Sequence, residues 1–237
     1  MTTTLITGAN RGLGLETARQ LIEAGHEVYL GARDPMRGAE AVRRVGGRTV
    51  QVDVTSDASV VAAAKRIGEE VERLDVLINN AGIFGSRQAA ADITAEDMLT
   101  VYDTNVFGVV RMTHAFAPLL AASDNPVVVN VSSGLGSIAA AVDPTGYPAE
   151  IPVWVPSVSY GSAKAALNMV TVQYAHAYPQ MRINTVDPGL TDSDPGQIAR
   201  PGAQTVTEGA AVIVALASID KEGPTGGFYG NAGPLPW

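Results

Sequence analysis

Short, apolar, β-branched runs alternate along this chain with longer stretches in which apolar residues recur every three to four positions. The first kind suits strands buried on both faces, the second amphipathic helices. Strands are expected over Thr3–Thr7, Val28–Ala32, Thr49–Val54, Val76–Ile78, Val127–Val131 and Ile183–Val186, with a short last one over Gly227–Tyr229. Helices are expected over Gly14–Ala24, Ser56–Arg73, Tyr160–Tyr178 and Val206–Ala217. In the first helix Thr17, Ala18, Leu21 and Ile22 share a face. In the second Val60, Ala63, Ala64, Ile67 and Val71 do, behind Ser56 as a cap. Such repetition predicts an α/β fold: a single-domain, doubly wound parallel sheet with helices on both faces. Alternation alone leaves a flavodoxin-like strand order open. No repeat, linker or composition shift divides residues 1–237, so one domain is expected.

Composition narrows the function. Of 237 residues 46% are apolar and 17% charged, which supports a sizeable core and excludes a disordered chain. The net charge of −8 repels phosphate backbones and anionic lipid, so no nucleic-acid or membrane partner is expected. The absence of cysteine excludes disulfides, thiolate metal sites and cysteine nucleophiles. His26, His114 and His176 are scattered without ligand spacing, so no metal is expected. No G-x-S-x-G elbow of an α/β-hydrolase occurs. The opening MTTTLITG lacks the basic and apolar regions of a signal peptide, and a cytoplasmic location is expected.

The first expected strand runs straight into Thr7-Gly8-Ala9-Asn10-Arg11-Gly12-Leu13-Gly14, and a helix follows. Glycines there allow a tight turn, close approach of backbone to a pyrophosphate, and contact between helix and strand. The amides of the helix start then face the phosphates. Gly8, Asn10, Arg11, Gly12, Leu13 and Gly14 are therefore expected to bind a dinucleotide. Farther along, Tyr160 and Lys164 are four apart in an expected helix and share a face. A phenol, with a pKa of about 10, is a poor acid or base near neutrality. An adjacent ammonium should lower that value. Tyr147 has no such partner, because Ile151 stands at the corresponding position.

The glycine spacing is Gly-x-x-x-Gly-x-Gly, not Gly-x-Gly-x-x-Gly. In this the chain resembles the short-chain dehydrogenase/reductase family, whose signature is T-G-x-x-x-G-x-G. The likeness continues in order through Asp53-Val54, Asn79-Asn80-Ala81-Gly82, Asn105 within Thr104-Asn105-Val106-Phe107-Gly108, Ser132-Ser133, Tyr160 and Lys164, and Asp187-Pro188-Gly189. It implies a Rossmann-type sheet of about seven strands. It also implies catalysis by Asn105, Ser133, Tyr160 and Lys164. Tyr160 would give a proton to a carbonyl oxygen as hydride reaches the carbon, and Ser133 would bond the same oxygen. Lys164 would bond the nicotinamide ribose, and Asn105 would hold a water joining Lys164 to solvent. Ser133 is taken over Ser132 because the family serine lies just past its strand. Asp53 and Val54, ending the third strand, would hold the adenine ring. Asn80, Ala81, Gly82, Pro188 and Gly189 would line the rest of the cofactor. Thr191 and Ser193 are both candidates to meet the nicotinamide carboxamide.

Where NAD-selective members carry an acid after the second strand, this chain has Ala32, and Arg33 follows. A guanidinium suits a 2′-phosphate, with Arg11 as a second cation, so NADP(H) is the expected cofactor. Asp34 is the opposing signal, an acid that could in principle meet a ribose. The run Gly223–Tyr229 resembles the end of carbonyl-reductase-like members. The expected activity is NADPH-dependent reduction of a small-molecule aldehyde or ketone. The rivals are an NADP-binding redox sensor without turnover and a sugar or steroid alcohol dehydrogenase. The interval from Ser133 to Tyr160 exceeds what many members need. A loop insertion around 137–157, with Pro144, Pro148, Pro152, Pro156, Tyr147 and Trp154, is expected beside the substrate pocket. It leads into a helix that many members use to dimerise, so a monomer is expected over a homodimer or tetramer.

Overall fold

A computed structural model describes residues 1–86, 88–143, 157–192 and 202–237. Tyr147, Trp154, the four insertion prolines and Ser193 lie outside the described residues. Strands β1 (Thr3–Thr7), β2 (Glu27–Ala32), β3 (Arg48–Gln51), β4 (Val76–Asn79), β5 (Val127–Val131), β6 (Arg182–Val186), β7 (Phe228–Gly230) and β8 (Gly233–Pro234) form one sheet. Its order is β3-β2-β1-β4-β5-β6-β7-β8. Pairing is parallel as far as β7, and the two-residue β8 returns antiparallel. The chain winds outward from β1 to β3, then crosses to β4 on the other side of β1. That reversal opens the crevice at the strand carboxyl ends where doubly wound sheets bind ligands, and it excludes the flavodoxin-like order.

Successive strand residues point to opposite faces, so each apolar strand serves two cores. Leu5, Leu77, Val128 and Ile183 pack with α3 (Asp57–Glu70), α5 (Gly108–Ala121) and α7 (Val158–Ala177). Ile6, Ile78, Val129 and Val186 pack on the other face with α1 (Gly12–Glu23), α2 (Pro35–Val45) and α8 (Val206–Ala217). One polar chain crosses the first core. Asn79 and Asn130 are register partners, and Asn79 Nδ2 donates to Asn130 Oδ1 at 2.9 Å. Asn130 Nδ2 in turn donates to Thr171 Oγ1 on α7 at 2.9 Å. This fastens α7 to the middle of the sheet.

The sequence pattern missed α2, α4 (Ala95–Tyr102), α5 and α6 (Ile138–Val142), the last within the stretch expected as a loop insertion, where Ser137 caps it by accepting from Ala140 N. In α2 only Gly38 and Ala41 are buried, so no apolar stripe announces it. What starts it is Asp34, whose carboxylate accepts from Met36 N and Arg37 N, with Pro35 in the first turn. The third strand is shorter than expected. Asp53 Oδ1 accepts from Thr55 N at 3.0 Å and Thr55 Oγ1 at 2.7 Å, turning the chain toward α3. Asp53 and Val54 therefore lie beyond the strand rather than at its end. Among the described residues no helix is long and apolar enough to cross a membrane.

Candidate active site

The turn between β1 and α1 is built by close approach. Gly12 has φ of +55°, a conformation that favours glycine. A Cβ on Gly14 would lie 2.5 Å from Asn80 Nδ2 and 2.7 Å from Gly8 O, so a side chain there has no room. Asn80 Nδ2 donates to Thr7 O at 2.8 Å, and the Thr7 hydroxyl accepts from the amides of Asn80 and Ala81, both at 3.0 Å. The loop after β4 thus braces the glycine turn, and Asn80 and Ala81 take part through these bonds. Asp34, Ser56, Thr94 and Thr205 cap their helices through side chains, whereas Arg11, the residue before α1, makes no side-chain cap bond. The amides opening α1 face the crevice side of the sheet with glycines around them, which fits a bound pyrophosphate.

Arg33 follows β2 at the same carboxyl end of the strands and is exposed. The opposing signal, Asp34, is committed to capping α2 and pairs with Arg37 at 3.8 Å. A guanidinium without a competing free carboxylate fits a 2′-phosphate better than a ribose diol. Val54 is 8% exposed and packs on Gly108, where a Cβ would meet Val54 Cγ2 at 2.9 Å. Thr191 is buried. Its hydroxyl donates toward Pro188 O at 3.1 Å and Gly189 O at 3.2 Å, and Gln204 Nε2 also bonds Pro188 O. Thr191 therefore closes the turn after β6 from inside, while Ser193 lies outside the described residues.

The catalytic candidates meet at the carboxyl end of β5. Ser133 opens a single 3-10 turn, Gly134–Gly136, with its Oγ accepting from Leu135 N at 3.3 Å. Its side chain also acts on Tyr160, from the first turn of α7, lowering that phenol's pKa. Lys164 is buried one helical turn on, and its Nζ donates to Val131 O at 2.7 Å and stands 5.5 Å from the Tyr160 ring centre. A Cβ on Gly82 would lie 3.3 Å from Asn105 Oδ1 and 3.7 Å from Lys164 Nζ, so the loop after β4 reaches the same point. Asn105 is fully buried in a π-helical turn, Asp103–Phe107, between α4 and α5. Its Oδ1 accepts from Ile83 N at 2.9 Å and its Nδ2 donates to Ile83 O at 2.8 Å. The Asn105 side chain thus grips the loop after β4 by both ends.

The electrostatics correct one expectation. Tyr160 is not lowered by its lysine. Burial, with the Asp187 carboxylate adding to it, pushes Tyr160 up to about 12, against the bond from Ser133. Burial pulls Lys164 down to about 8, and Asp187 opposes that. Asp187 is itself buried just past β6 and accepts from Gly189 N at 2.9 Å. In the sequence Asp187 shows only as part of a turn, with nothing to signal that its charge meets Tyr160 and Lys164. Nothing there signals Phe84 either, whose ring stacks on Tyr160 with centroids 4.7 Å apart.

Comparison with known proteins agrees with this arrangement. Residues 2–203 match the short chain dehydrogenase family. The short-chain dehydrogenase anuI of Penicillium roqueforti (strain FM164) is 39% identical over 226 residues, 90% of this chain and 87% of that protein. The (-)-isopiperitenone reductase of Mentha piperita is 32% identical, covering 95% of each. The crystal structure of NADPH-bound carbonyl reductase from chicken fatty liver superimposes with a TM-score of 0.86 at 29% identity, covering 100% of this chain and 99% of that one. With the glycine turn, the Ser133–Tyr160–Lys164 cluster and the strand order all in place, the chain belongs to the short-chain dehydrogenase/reductase family of oxidoreductases.

Proposed function

We propose that the protein is an NADPH-dependent reductase of aldehydes or ketones, with Tyr160 as general acid. The observation that carries this reading is Lys164, buried one turn after Tyr160 on the same helix, its Nζ fixed on Val131 O at 2.7 Å and 5.5 Å from the Tyr160 ring centre. When bound, NADPH supplies a hydride to the carbonyl carbon. A phenol held protonated by burial and by Asp187 is suited to deliver the matching proton to the carbonyl oxygen. Ser133 donates to that oxygen and fixes its position before transfer. Lys164, anchored on Val131 O, presents its remaining N–H groups to a ribose and offers the route by which Tyr160 regains its proton. Asn105 keeps the loop 80–85 against this cluster. Arg33 and Arg11 would hold the 2′-phosphate, and the amides of Gly12, Leu13 and Gly14 the pyrophosphate. Residues 144–156, lying in sequence between Ser133 and Tyr160, are the candidate selectors of the substrate.

The test is loss of NADPH absorbance with a panel of aldehydes, ketones and quinones, repeated with NADH. Carbonyl-dependent oxidation with NADPH preferred by at least about tenfold is expected, about 1.4 kcal/mol of discrimination. No turnover across the panel, with NADPH binding intact, would leave the redox-sensor reading in its place.

A further inference from the structure

The two adjacent serines after β5 do different things. Ser133 acts on the Tyr160 phenol, lowering its pKa, whereas Ser132 is 3% exposed and donates to Asn168 Oδ1 at 2.7 Å. Asn168 is 4% exposed and stands four residues after Lys164, on the face of α7 that carries Tyr160. Its Nδ2 donates to Gly136 O at 3.2 Å. One amide therefore holds both ends of the segment Ser132–Gly136, with Ser133 between them. The segment is drawn tight against the helix: a Cβ on Gly136 would lie 2.7 Å from the carbonyl carbon and the Cβ of Lys164.

We propose that Asn168 is a positioning residue that clamps the Ser132–Gly136 turn to α7 and so sets the Ser133 hydroxyl against Tyr160. Its carbonyl accepts and its amide donates, so no isosteric group of one polarity performs both tasks. Aspartate would still accept from Ser132, but would oppose the Gly136 carbonyl. The chain of contacts predicts which readouts move. Losing the clamp frees the turn, and a misplacement of about 1 Å at reacting groups costs up to about 10²-fold in rate. The glycine turn and Arg33 do not touch the clamp, so cofactor affinity stays. The kinetic part of this inference rests on the proposed reductase activity; the clamp itself does not.

Two measurements test it in the full chain. In Asn168→Ala, the amides of Gly136 and Ser137, bonded to Ser133 O and Gly134 O, should exchange hydrogen faster while those of β1 do not change. Ser132→Ala, which removes the hydroxyl's bonds to Asn168 Oδ1 and Lys164 O but keeps the Asn168–Gly136 bond, should do the same to a lesser degree. In carbonyl reduction Asn168→Ala should lower kcat by about 10- to 100-fold, with the NADPH Kd unchanged within about twofold. In a Ser133→Ala background the same substitution should cost less than about threefold more, because the group it positions is gone. Unchanged exchange in both variants overturns the clamp. Losses that multiply in full in the Ser133→Ala background overturn the positioning role. Faster exchange in a protein whose parent reduces no carbonyl compound supports the clamp and counts against the reductase reading instead.

Discussion

Gly136→Ala adds one methyl group and tests whether the catalytic turn tolerates movement. The added Cβ would stand 2.7 Å from the carbonyl carbon and Cβ of Lys164 and 2.9 Å from Ala165 N. Ordinary carbon–carbon contact begins near 3.5 Å, so the turn must withdraw by roughly 0.8 Å. Two of the obstructing atoms are helix backbone and the third is the root of a buried side chain, so α7 cannot yield cheaply. Overpacking of this kind costs about 1–3 kcal/mol, and a domain of this size loses about 2–4 °C of Tm per kcal/mol. The variant should therefore fold, with Tm lower by about 2–12 °C. Ser133 opens the displaced turn, and a shift of this size predicts a fall in kcat of up to about 10²-fold. NADPH affinity should be retained, because the glycine turn lies across the site. The assay is steady-state kcat beside fluorescence titration of NADPH and a thermal melt. A lowered Tm with kcat within twofold of the parent would refute the claim that Ser133 must be held where it is.

Tyr160→Phe keeps the stack on Phe84 and removes only the hydroxyl; kcat should fall by about 10²–10⁴-fold with NADPH binding retained, and near-normal turnover would mean another proton donor. Arg33→Ala should shrink the preference for NADPH over NADH, whereas Asp34→Ala should cost about 1 kcal/mol of stability as a lost cap and leave the preference alone; the reverse outcome in parallel kinetics and melts would reassign the two. Asp187 raises both Tyr160 and Lys164, so Asp187→Asn should lower both. Tyr160 donates only while protonated, so the alkaline limb of reductive kcat/KM should move toward lower pH, and a pH profile with an unmoved limb would show that the charge is not felt. Asn130→Ala leaves the Asn79 amide without its partner, while the Thr171 hydroxyl keeps only its bond to Leu167 O; a loss of about 1–3 kcal/mol is expected in calorimetric unfolding, and an unchanged Tm would contradict it.

The strands were legible because their apolar runs are continuous. Thr3–Thr7 and Val127–Val131 were read with the observed bounds. The α8 bounds were legible for a related reason: an apolar stretch sits behind the Thr205 and Glu208 capping pair. Helix α2 was not, since its covering of the sheet rests on two small residues. The Tyr160–Lys164 pair could be found from spacing alone, and extending that spacing by four would have reached Asn168. The upward pull on Tyr160 could not be found so. It depends on how deeply the phenol is buried and on Asp187 arriving from β6, 27 residues later in the chain but beside it in space. The bond pattern of Asn105 was hidden for a similar reason, because its partner Ile83 comes from another loop.

The Asn79–Asn130 pair also bears on how the chain finds its own alignment. In a sheet with one wet face, a strand that slips by a single residue turns its apolar side to water, and the error corrects itself. Here both faces are covered, and Val127, Val128 and Val129 fit either side. Hydrophobicity therefore hardly discriminates between correct and slipped pairing of β4 with β5, which must meet after closing a loop of some fifty residues. A slip would leave two amides stranded among valines and leucines, at about 1–3 kcal/mol each. The pair sits in the strand as a proofreading mark: it adds little to the finished protein, but it makes the misaligned one expensive.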